Sequence, residues 1–156
     1  TRCSLKCANC SNLMQYYTKP NNTSQNDILD SLDLIEKNVD DISEYRTDLS
    51  PDEEYLQVSG RKLEKGLKVK AHKHNNLKRE TNITQEAWIV IKGEIYAKFY
   101  DLDDKFIYET NLTDGDCITI FRGGHELTVV KDNTYFYEFK NGPYYGVDAD
   151  KVKINE

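Results

Sequence analysis

No apolar run in these 156 residues approaches the roughly 20 that a helix needs to cross a bilayer, which excludes a helical membrane protein. Nor does an apolar signal segment follow Thr1, so the expectation is a cytoplasmic chain. A surplus of positive charge is also lacking. The net charge is −6, the lysines read as dispersed among acids without a basic stripe, and a general nucleic-acid binder is therefore not expected. Histidine is scarce: the chain has three, so their placement carries information. What is abundant is tyrosine, with 11 residues, in a composition that favours a folded β protein over a disordered chain.

Two periods divide the sequence. Ile28, Leu32, Ile35, Val39 and Ile42 recur at steps of three or four, which predicts an amphipathic helix over 27–45. A polar, acidic stretch with Pro51 follows, and 49–54 is read as a linker between an N-terminal segment, 1–48, and a second domain, 55–156. Beyond residue 55 the period becomes two. Strands are predicted at 55–59, 67–74, 85–92, 94–100, 105–110, 117–121, 126–130 and 134–140, separated by Gly, Asp and Asn turns. Many short strands at close spacing make the fold all-β, as a barrel or a double-sheet jelly roll.

Candidate chemistry starts with the histidines. His72 and His74 lie two apart, so an extended strand points both rings to one face, where one ion can take both. The same alternation puts Lys68 and Lys70 on that face, which demands a bulge or a position beyond the covered part of the sheet. Glu86 opens the run Glu86-Ala87-Trp88-Ile89-Val90-Ile91-Lys92-Gly93, and His125 follows the Arg122-Gly123-Gly124 turn. Three imidazoles and a carboxylate form a donor set for Fe, Mn, Zn or Ni, with positions left for water or substrate. Trp88, two residues beyond Glu86, is a core tryptophan or a wall on which a sugar ring stacks. Arg122 is a solvated loop residue or a holder of phosphate or carboxylate.

These residues resemble the cupin superfamily. Its first motif is matched by Gly66, five residues, His72-Lys73-His74, eleven residues in place of the usual short loop, Glu86, six residues and Gly93. Its second is matched by Gly115-Asp116 and Gly123-Gly124-His125, with Phe121 where proline is usual and Val129 where asparagine is usual. The resemblance spans about residues 55–145, and the Gly-Gly-His turn with Gly142-Pro143-Tyr144 is similar to a subgroup found in sugar and polysaccharide settings. It implies a cupin jelly-roll barrel, a divalent metal on His72, His74, Glu86 and His125, Glu86 as ligand or catalytic base, and a sugar or nucleotide-sugar as ligand. It also implies a homodimer. From charge and hydropathy, neither a nucleic acid nor a membrane is expected as partner.

Cys3, Cys7 and Cys10 have the spacing C-x₃-C-x₂-C. With their flanks, Thr1-Arg2 and Ser11-Asn12-Leu13-Met14, they resemble the start of a radical S-adenosylmethionine enzyme. In that family the three thiolates hold a 4Fe-4S cluster whose open iron takes S-adenosylmethionine. The family's Gly-Gly-Glu-Pro turn does not occur in this chain, so residues 1–48, a cysteine loop plus one helix, are read as a truncated piece of such an enzyme. The functional expectation is a metal-binding cupin acting on or binding a small polar, sugar-related molecule. The alternative is a non-catalytic cupin module attached to a radical enzyme.

Overall fold

The computed structural model describes residues 34–43 and 45–154. Cys3, Cys7, Cys10 and the first part of the expected helix lie outside the described residues. The described chain is all-β in its regular structure, apart from a 3₁₀ turn at Val39–Asp41 and one short helix, α1 (Val147–Asp150). The strands are β1 (Leu34–Lys37), β2 (Thr47–Asp48), β3 (Ser59–Gly60), β4 (Glu86–Lys92), β5 (Glu94–Tyr100), β6 (Phe106–Thr113), β7 (Cys117–Ile120), β8 (Gly124–Val129) and β9 (Tyr135–Lys140). One sheet has the order β1-β7-β4-β9, a second the order β6-β5-β8, and β2 pairs with β3 apart from both. Every strand pairing is antiparallel. The sheets are not closed into a barrel. No helix among the described residues is long and apolar enough to cross a membrane.

Period-two patterning explains how the two large sheets meet. Trp88 and Val90 of β4, Ile118 and Ile120 of β7, Ile95, Ala97 and Phe99 of β5, and Leu112 of β6 form one buried cluster. Phe136 of β9 and Leu127 of β8 pack against it. The chain passes from one sheet to the other at Gly93, between β4 and β5. Its φ is +103°, and a Cβ there would collide with Thr134 Oγ1 and stand 2.7 Å from Thr134 Cα, so this crossing requires glycine.

Three expected elements differ. Of the strand expected over 55–59, Ser59 alone is in a strand, as the first residue of the two-residue β3. The described part of the predicted helix is instead a strand followed by a 3₁₀ turn. Ile35 is buried on β7, Glu36 accepts the Tyr108 hydroxyl at 2.7 Å, and Val39 is exposed. The sheet edge offered backbone partners that the helical period could not reveal, and Asn38 ends the strand by forming a capping box with Asp41. The expected strand over 67–74 is absent: residues 61–84 hold no helix or strand, and all are exposed. Placing Lys68 and Lys70 against the apolar interior would strip two ammonium groups of water, and here both remain solvated.

Candidate functional site

The inward rows of three strands change from apolar to polar toward the same end of the two sheets. On β4 the row runs Val90, Trp88, Glu86. On β9 it runs Phe136, Glu138, Lys140, with Glu138 opposite Trp88 and Lys140 opposite Glu86. On β8 it runs Leu127, His125. Where the rows turn polar the sheets leave a cavity of about 900 Å³. Glu86, Trp88, His125 and Glu138 line it, and residues 150–154 pass along its side.

Glu86 is buried and accepts a hydrogen bond from Trp88 Nε1 at 2.6 Å. Its Oε1 lies 3.7 Å from His125 Nε2, too far for a hydrogen bond. The imidazole stands edge-on to the Trp88 ring, with centroids 5.1 Å apart. Burial lowers the His125 pKa below 6.5, and the nearby Lys151 charge adds to this, so the ring is neutral at pH 7. His125 Nδ1 is buried without a hydrogen-bond partner. Glu138 moves the other way. Burial, then the Glu86 charge, then a hydrogen bond with Glu86 raise its pKa above 4.5. The cavity therefore sets a neutral imidazole beside two carboxyl groups, of which Glu138 holds a proton more firmly than a free carboxyl does.

Of the four expected metal donors, Glu86 and His125 come together. His72 and His74 do not join them. Both lie in the exposed stretch 61–84, with ring centroids 5.5 Å apart and the planes near perpendicular, and His72 Nδ1 is 2.9 Å from the carbonyl of Lys70. Among the described residues, no three His, Cys, Asp or Glu side chains are arranged to hold a metal ion. The cupin donor set therefore does not fit in this arrangement.

Trp88 is 1% exposed and belongs to the core, although it also borders the cavity. Arg122 turns instead to Glu54, at 3.2 Å. Glu54 also receives the side-chain amide of the buried Gln85, so the arginine helps tie the 50s loop to the start of β4. Cys117, the described cysteine, is not part of the site, and burial pushes its thiol up to about 11. Glu138 was not legible as a site residue from motifs. Its signal was positional, because alternation from the core residue Phe136 puts it on the inward face.

Comparison with protein-family models, with curated proteins and with solved structures finds no match.

Proposed function

We propose that this chain is a cupin-like module that binds a small polar, sugar-sized molecule between its two sheets. The observation that supports this reading is the coincidence of Glu86, Glu138, His125 and Trp88 on the walls of one cavity. Carboxylates accept hydroxyl hydrogens, a neutral imidazole can accept or donate, and the part of the indole that borders the cavity offers apolar contact to a sugar's C–H groups. Cavities of this size suit small-molecule ligands, being mostly preformed and carrying a few convergent polar groups. The same groups could pass a proton to or from a bound hydroxyl, which would make the module an enzyme. Two of the expected donors do not make a metal centre, and the reading rests on none.

Calorimetric titration with a panel of monosaccharides and nucleotide-sugars tests the proposal. At least one member is expected to bind, and Glu86→Gln or His125→Ala is expected to weaken it about tenfold or more, the cost of losing a hydrogen bond to a charged or buried partner. Unchanged affinity in both variants would overturn the assignment of the site.

The cysteine spacing supports a second reading, that the module derives from a radical S-adenosylmethionine enzyme. Anaerobic reconstitution with iron and sulfide is expected to give visible cluster absorbance that Cys3→Ala abolishes. Absorbance that is lacking in the parent chain, or that survives in the variant, would contradict it.

A further inference from the structure

The whole-chain charge conceals an opposite local one. From Arg61 to Glu80 the sequence holds eight Lys or Arg residues against two acids. The rest of the chain holds thirteen cations against twenty-five acids, so a +6 stretch belongs to a molecule that is otherwise −12. The expectation that the lysines are dispersed is corrected by this distribution. The structure leaves the whole stretch in water, since every residue from 61 to 84 is exposed. Lys78 pairs with Glu80 at 2.6 Å, and among the described residues none of the other seven cations makes an ion pair. Leu63, Leu67, Val69, Leu77 and Ile83 are interleaved with them and are 40–64% exposed.

The chemistry of the partner follows from that mixture. A dense row of ammonium groups calls for a polyanion. Nucleic acid would satisfy the cations but leave the leucines and valine in water. Single strands also call for aromatic platforms, and 61–84 has none beyond two imidazoles. An anionic bilayer surface meets both needs. Its headgroups attract lysines within a Debye length, and its headgroup–acyl boundary accepts short apolar side chains while the lysine stems lie along it. We propose that residues 61–84 dock this protein peripherally on an anionic phospholipid surface. No spanning segment is involved, and the acidic remainder is repelled by the same surface.

The test is co-sedimentation of the full chain with vesicles of phosphatidylcholine alone and of phosphatidylcholine with about one third phosphatidylserine, at about 0.1 M and about 1 M salt. Binding is expected on the mixed vesicles at low salt only. The triple variant K68Q/K70Q/K73Q is expected to bind about a hundredfold more weakly, at about fivefold per cation. The variant L67S/V69S keeps every charge and is expected to lose about tenfold. All of these side chains are exposed, so the fold is expected to persist, with unchanged circular dichroism as the check. Failure to bind the mixed vesicles, equal binding to neutral ones, or full binding by L67S/V69S would overturn the proposal. Tighter binding to a duplex DNA fragment than to the mixed vesicles would overturn it in favour of a nucleic-acid partner.

Discussion

Single side chains in this molecule work against their water-preferring forms. Glu36 is the clearest case. It sits on edge strand β1, accepts the Tyr108 hydroxyl, and has its pKa raised above 4.5, first by burial. Below pH 4.5 the carboxyl is protonated in both folded and unfolded chains and costs nothing. As pH rises from there to the raised folded value, the unfolded chain ionises first and stability falls. Glu36→Gln keeps an acceptor for Tyr108 without a charge to desolvate. It is expected to raise the melting temperature at pH 7 and leave it nearly unchanged below pH 4.5, as thermal unfolding monitored by circular dichroism would show. A lower melting temperature at pH 7 would mean that the charge helps the fold. His125 has the opposite sign. Its lowered pKa means that stability is lost as pH falls below 6.5 toward the folded value, when the unfolded ring takes up a proton that the cavity resists.

At the scale of elements, the strands were legible because period-two patterning and turn chemistry agree there. The strands expected from 85–92, 94–100, 105–110, 117–121, 126–130 and 134–140 all form, with ends shifted by up to three residues. The stretch 27–45 carried a helical period that the described residues do not follow. Five apolar positions cannot distinguish a helix face from a strand that has one sheet partner, because the partners lie 80 to 86 residues away, at β7. The stretch 67–74 carried the right alternation with the wrong charges, and solvation of Lys68 and Lys70 prevailed over pairing. The β4–β5 crossing depends on one residue. Gly93→Ala is expected to destabilise the protein by at least about 1 kcal/mol, because alanine disfavours φ of +103° and its methyl would overlap Thr134. Chemical denaturation would read this as a lowered midpoint at constant slope, and an unchanged midpoint would contradict the crossing described.

For the molecule as a whole, the candidate site emerges where two sheets part, and of its four named wall residues Glu86, Trp88 and His125 are singled out by the sequence. Glu86 and His125 were found by motif spacing, and they meet. Glu138 was missed because alternation from Phe136 gives its face but not its neighbours, and the pairing of β9 with β4 that sets it opposite Trp88 is a fact of topology. His72 and His74 were grouped with them by sequence, yet they sit on the exposed basic stretch, so spacing alone did not secure proximity. The polybasic character of that stretch was concealed because net charge sums over the chain and discards position.

With three histidines in the sequence, imidazole resonances separate these assignments directly. We would follow all three by nuclear magnetic resonance while titrating in the tightest-binding sugar or nucleotide-sugar of the panel. The account predicts that the His125 signals move to saturation while those of His72 and His74 stay fixed. Movement of all three with one binding curve, or an unmoved His125, would contradict it.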